Sequence, residues 1–280
     1  MTSTSIYLLI FFAAFLHAVW NIIIKSLNNS LVAIAVKVFF QSIIFIPVVF
    51  FVPAPEGITW FYLIASALLH SLYFILLGVM YNHEDMTFIY PVARGCAPVF
   101  VTILSFIFLS DMIPLLGIVG ILIVSFALML ISLNNFKTKM DIKIICISVF
   151  IAFIISIYTF TDGAGVRSVE NSSTFIVWNF FFGGWISIGY VYLTNKQELF
   201  SLKLKELCLI IFATVISFSA YAIIIWSMKY EPIGFVASMR ESSIIFASII
   251  GLFILKEKIG FIRVISSILF FIGVGFIFNA

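Results

Sequence analysis

Charged side chains are scarce in this sequence. Asp, Glu, Lys and Arg together make up 10% of its 280 residues, where a soluble domain carries about a quarter. So little charge cannot cover a water-facing surface, which excludes an ordinary soluble domain. Cysteine is scarce too. The three present, Cys96, Cys146 and Cys208, lie in or beside apolar runs without CxxC spacing. That excludes a disulfide framework or thiolate metal site and leaves small buried hydrophobes. No GxxxxGK[ST] phosphate cradle occurs, so the chain alone is not an ATP-driven pump. No HxxxxD or DxxxD pattern occurs either, and Glu84-Asp85 is the only acidic doublet. A membrane enzyme acting on a lipid or polyprenyl substrate would need clustered acids or a His/Asp pair. The start, Met1 to Ser5, has no basic residue, and no small-x-small site follows the first apolar run, so Ile6–Ile24 is expected to be a retained helix.

What the chain has in abundance is apolar sequence in long blocks: 64% hydrophobic residues, 18% aromatic, 34 of them Phe. A bilayer core takes about 20 such residues per helix. Marking apolar runs between polar punctuation gives ten expected spans. They are Ile6–Ile24, Leu31–Val52, Ile58–Met80, Met86–Leu109, Ile113–Leu133, Ile142–Thr161, Ser173–Leu193, Leu207–Met228, Pro232–Leu255 and Phe261–Asn279. The fold class expected is an all-α integral membrane protein. None of the short connections could hold a soluble domain.

A weak internal repeat divides the spans into two sets of five, residues 1–135 and 136–280. Arg94 precedes Asp111 by 17 residues and Arg240 precedes Glu257 by the same interval. An odd number of helices per half turns the second half upside down, and inverted repeats of this kind recur in secondary transporters. Basic residues fall mainly after odd-numbered spans: Lys25, Lys137, Lys139, Lys143, Lys196, Lys203, Lys205, Lys256, Lys258 and Arg263, against Arg167 and Lys229 after even ones. The positive-inside rule then puts both termini outside.

Charges within the spans carry the functional argument. A lone basic side chain at the bilayer centre costs roughly 2.5–3.5 kcal/mol, so Lys37, Arg94 and Arg240 are expected to face a shared polar chamber or partner acids. Tyr90 and Arg94 share a helix face. Pro91, Gly95 and Pro98 predict a discontinuous helix around Arg94, suited to an anion or to a structural arginine on loosened carbonyls. Arg240 and Glu241 are adjacent, point about 100° apart on a 3.6-residue helix, and are expected to reach different helices. Glu241 is the candidate proton-coupling group; the competing reading is a fixed counter-ion. His17, Trp20 and Asn21 form one stripe, read evenly as substrate contacts or as a hydrogen-bonded inter-helix lock, and Lys37 with Gln41 repeats that spacing as further candidate substrate contacts. His70 and Tyr73 form a weaker pair, read as structural. Tyr158 and Asp162 share a face before Gly163 and Gly165, where the helix is expected to break. Asp162 and Arg167 are read as an ordinary solvated turn or, as the alternative, a gate at the bundle mouth. Trp178 and Asn179 are candidate cavity lining. Gly117/Gly120, Gly183-Gly184 and Gly273/Gly275 predict close helix packing.

The ten-span pattern, with Leu16-His17-Ala18-Val19-Trp20-Asn21, Tyr90-Pro91-Val92-Ala93-Arg94-Gly95 and the Tyr158–Gly163 stretch, resembles the EamA-like, ten-helix branch of the drug/metabolite transporter superfamily. The resemblance implies an inverted-repeat bundle in a cell (inner) membrane, a central cavity and alternating access. It also implies cytoplasmic termini, opposite to the charge count. The expected function is a secondary transporter, exporter or exchanger, of a small anionic or zwitterionic metabolite, with protons as a possible coupling ion. The alternatives are a membrane enzyme or a channel, although charged filter rings are missing. No cofactor, metal or nucleic-acid partner is expected, and the chain is expected to act alone or as a homodimer.

Overall fold

The computed structural model describes residues 2–80, 86–133, 142–255 and 260–280. The expected connections over 81–85 and 134–141, with Glu84, Asp85, Lys137 and Lys139, lie outside the described residues, as do Lys256, Glu257 and Lys258. Everything regular among the described residues is helix. In order these are α1 Ser3–Lys25, α2 Ser30–Phe45, α3 Thr59–Met80, α4 Met86–Leu109, α5 Leu115–Leu133, α6 Ile142–Arg167, α7 Ser172–Phe182, α8 Trp185–Thr194, α9 Lys196–Phe200, α10 Leu204–Ser227, α11 Ile233–Arg240, α12 Ser242–Leu255 and α13 Phe261–Phe278. Nine stretches among the described residues are long and apolar enough to cross a bilayer, with Leu115–Ile131 as a shorter tenth. Helices are what a membrane permits, since each backbone N–H and C=O must be satisfied within the segment. Large apolar side chains such as Phe12, Phe106, Ile107, Phe126 and Phe271 are exposed. A soluble monomer could not sustain that surface, whereas lipid accepts it.

Several span boundaries differ from expectation, each for a local reason. The second span ends as α-helix at Phe45, and past Pro47 a 3-10 turn, Val48–Phe51, finishes it. The sixth span does not break at its glycines but stays helical to Arg167. Gly165 serves packing there: a Cβ would meet the Phe175 ring at 2.1 Å. Nor is α4 discontinuous. It runs unbroken through Pro91 and Pro98, because each proline deletes one donor and leaves the rest of the ladder in place. The breaks fall elsewhere, at Gly183-Gly184 between α7 and α8 and at Glu241 between α11 and α12.

The first break is sealed from α2. Ser42 Oγ donates to the Phe180 carbonyl at 3.1 Å and accepts from Gly184 N–H at 2.9 Å. Backbone groups freed by the break therefore stay paired. A Cβ on Gly184 would sit 2.2 Å from the Val38 carbonyl oxygen, so the expected close packing is present there. The same holds at Gly117 against Phe235, and at Gly120 and Gly273, which face each other across α5 and α13. A Cβ on Gly275 would meet nothing within 4 Å among the described residues, so this glycine is not needed for close packing against them.

The chain divides into two compact units. The first is Met1–Phe15, Glu84–Phe160 and Tyr230–Ala280; the second is Leu16–His83 and Thr161–Lys229. Spans four and five join nine and ten in the first, and spans two and three join seven and eight in the second.

Candidate functional site

Within the first unit, the break at Glu241 gathers the buried arginines. Arg240 ends α11 and Glu241 precedes α12, so a cation sits at a helix C-terminus and an anion at an N-terminus, the arrangement helix dipoles favour. Arg94 Nε lies 2.5 Å from Glu241 Oε2, and its Nη2 donates to Ser243 Oγ at 3.1 Å. Arg240 Nη2 reaches Glu241 Oε1 at 3.5 Å. Glu241 therefore serves both arginines. The expectation that Arg240 and Glu241 would diverge assumed a continuous helix, and the break removes that assumption. Tyr90 lies beside Arg94, the guanidinium carbon 5.6 Å from the ring centre. Tyr158 is buried in this unit. Asp111, just past α4, accepts from the Ile233 N–H at 3.0 Å and so answers the first donor of α11.

Two polar centres lie in the second unit. Lys37, 2% exposed on α2, donates to Ser217 Oγ on α10 at 2.7 Å. Its ammonium sits 4.3 Å from the Trp20 ring centre and 5.4 Å from that of Phe74. Ring faces attract a desolvated cation, yet its partners among the described residues include no carboxylate. Trp20 is buried and its indole N–H has no hydrogen-bond partner among the described residues. His17 packs edge-on against Trp20, and Asn21 donates to the His17 carbonyl at 2.9 Å, within its own helix. Gln41 is buried one turn after Lys37.

The second centre is Asp162, fully buried on α6. Its Oδ1 accepts from Ser66 Oγ at 2.5 Å and Asn179 Nδ2 at 3.1 Å. Its Oδ2 accepts from Tyr221 Oη at 2.5 Å and lies 2.9 Å from His70 Nε2. Asp162 is therefore not a solvated turn. The continuous helix holds it inside the unit, while Arg167 Nε donates to the Met228 carbonyl at 2.7 Å, at the end of α10. Trp178 and Asn179 also part company. Asn179 joins Asp162, whereas Trp178 donates to the Pro53 carbonyl at 3.2 Å and packs on Trp60.

The two centres share supports. Ser217 and Tyr221 are one turn apart on α10, as are His70 and Phe74 on α3. Sequence reasoning missed Ser66, Ser217 and Tyr221 and read His70 as structural. The available signal was polar pairs at i, i+4 inside apolar spans, Ser66/His70 and Ser217/Tyr221. Among the described residues, no group of three or more His, Cys, Asp or Glu is placed to hold a metal.

Against known proteins, the EamA-like transporter family matches residues 142–279. No curated protein matches the chain. A solved structure described as "Crystal structure of protein" superposes with a TM-score of 0.75 at 12% identity, covering 98% of each chain, a likeness of fold. Members of the matched family are membrane transporters of small molecules rather than enzymes. The chain is a multi-pass membrane protein whose residues 142–279 match the EamA-like transporter family, a similarity consistent with the drug/metabolite transporter superfamily.

Proposed function

We propose that the protein is a secondary carrier, exporter or exchanger, that moves a small anionic or zwitterionic metabolite by alternating exposure of one polar site to the two sides of a cell (inner) membrane. The observation that carries this reading is Lys37: a buried cation answered by a serine hydroxyl and two ring faces, with no carboxylate among its described partners. A buried charge without a counter-charge is costly, and an incoming carboxylate or phosphate-type group offsets that cost. The Trp20 N–H beside it, without a hydrogen-bond partner among the described residues, supplies a donor for the same group. We assign the substrate anion to Lys37 rather than to Arg94 or Arg240, because a carboxylate, Glu241, already lies against both guanidinium groups and none lies against Lys37 among its described partners.

The two units lend support to the inverted repeat over 1–135 and 136–280. Each unit takes spans of corresponding rank from both halves, and Gly120 and Gly273, in the fifth and tenth spans, approach each other reciprocally. The test is a thermal-shift screen of the purified chain against carboxylates, amino acids and phosphorylated metabolites, repeated on Lys37→Met. Stabilisation by anionic compounds that Lys37→Met abolishes supports the reading. Stabilisation unaffected by Lys37→Met refutes the placement, and stabilisation only by cations refutes the substrate class.

A further inference from the structure

Between α8 and α10 the chain turns back through α9, whose five residues, Lys196–Phe200, span about 7.5 Å and cannot cross a bilayer. Such a connection lies where helices leave the membrane, and polar side chains would be ordinary there. Yet its large apolar side chains are among the most open in the chain: Leu193 is 83% exposed, Phe200 71% and Leu204 78%. Lysines are interleaved with them. Lys196, Lys203 and Lys205 are exposed and make no ion pair among the described residues. The two acids of the segment are engaged elsewhere. Glu198 accepts from Asn29 Nδ2 at 2.6 Å and from Asn195 Nδ2 at 2.8 Å, and Glu206 accepts from the Lys203 backbone N–H at 2.9 Å.

The segment is also held in shape. Across the turn at Asn195, the Lys196 ammonium sits 5.0 Å from the Tyr192 ring centre, and Tyr192 meets Phe200 edge-on with centres 6.4 Å apart. The bond from Asn29 to Glu198 ties α9 to the turn between α1 and α2, and α1 ends there on the exposed Lys25. Asn29 itself is fixed by accepting from the Val32 N–H at 3.1 Å, at the start of α2. We propose that α9 and its flanks form an in-plane membrane anchor that binds anionic phospholipids. Leu193, Phe200 and Leu204 lie against the acyl chains, while Lys25, Lys196, Lys203 and Lys205 meet the headgroup phosphates.

The chemistry and the position both favour lipid over a soluble partner. Leu193 lies in the last turn of α8 and Leu204 opens α10, so the apolar patch continues the sides of two helices that already face acyl chains. Apolar side chains beside lysines are the composition of helices that lie in the interface plane. A lysine there rests its methylene stem on apolar surface and extends its ammonium to the headgroups, and a tyrosine suits the same depth. Four lysines against Glu198 and Glu206 leave two positive charges, which selects anionic over zwitterionic headgroups. Near such a surface each lysine contributes about fivefold to enrichment. The proposal needs only that the chain is multi-pass and does not depend on the carrier reading.

The test is native mass spectrometry of the full-length protein offered equal amounts of phosphatidylglycerol and phosphatidylcholine. The wild type is expected to retain phosphatidylglycerol preferentially. The triple variant Lys196→Gln/Lys203→Gln/Lys205→Gln should lower the ratio of the two bound lipids about tenfold or more, and the same three positions changed to Arg should preserve it. Should the triple variant not fold, Lys203→Gln alone carries the test, with an expected drop of about fivefold. A ratio that ignores these substitutions overturns the proposal. Depth is read separately, from a nitroxide on Phe200→Cys in nanodiscs with Cys96, Cys146 and Cys208 changed to Ser. The label is expected to be more accessible to oxygen than to an aqueous nickel complex. A label open to the nickel complex, or shielded from both by protein, also overturns it. Failure of the carrier reading would appear in the ligand screen and leave these lipid ratios unchanged.

Discussion

Arg94→Ala removes the closest partner of a fully buried carboxylate. Glu241 would keep only Arg240, whose guanidinium nitrogen stands at 3.5 Å, against 2.5 Å for Arg94. Breaking one side of a buried ion pair costs about 3–5 kcal/mol, because the surviving charge stays out of water. The lost bond to Ser243 Oγ belongs to the same perturbation. For a chain of this size each kcal/mol corresponds to roughly 2–4 °C, so the unfolding midpoint should fall by roughly 6–20 °C. Tryptophan fluorescence on heating the protein in nanodiscs measures it. The double variant Arg94→Ala/Glu241→Gln separates pairing from packing. With the acid neutralised, the orphaned charge is gone, and the double should recover part of the loss. A drop under about 1 kcal/mol for Arg94→Ala, or a double variant as unstable as the sum of the singles, would refute the pairing argument.

Other outcomes follow from the packing. Gly120→Ala and Gly273→Ala each drive a Cβ to within 2.7–2.8 Å of the opposing helix's carbonyl oxygen. Both should lower the unfolding midpoint, while Gly275→Ala, with open space around it, should leave it unchanged in the same assay. Ser42→Ala removes both bonds that close the α7/α8 break and should cost about 1–3 kcal/mol, seen as faster proteolysis or hydrogen exchange around residues 180–184. Loss of protection elsewhere only would contradict that role.

The helices were legible because lipid allows one backbone solution and marks it by length. Met86–Leu109 agrees at both ends, and the other spans agree within a few residues except where a glycine or proline intervened. Gly165 illustrates the limit: glycine in a sequence marks either a chain break or a close approach, and only the Phe175 ring decides which. Gly183-Gly184 carries both roles at once. At the sites, individual charges could be found because charge inside an apolar run is conspicuous, and Lys37, Arg94, Asp162, Arg240 and Glu241 all prove buried. Their partners could not be. Arg94 meets Glu241, 147 positions away, and Asp162 meets His70, 92 positions earlier, and sequence spacing encodes neither meeting. Hydroxyls such as Tyr221 and Ser66 are too common in membrane helices to be noticed until an acid lies against them.

The account turns on Lys37 as the seat of a transported anion. Its most direct measurement is counterflow in proteoliposomes loaded with whichever metabolite most stabilises the purified protein, comparing the wild type with Lys37→Met and Lys37→Arg. Saturable exchange by the wild type, lost in Lys37→Met and partly kept in Lys37→Arg, is the predicted result. Equal exchange by Lys37→Met would contradict it.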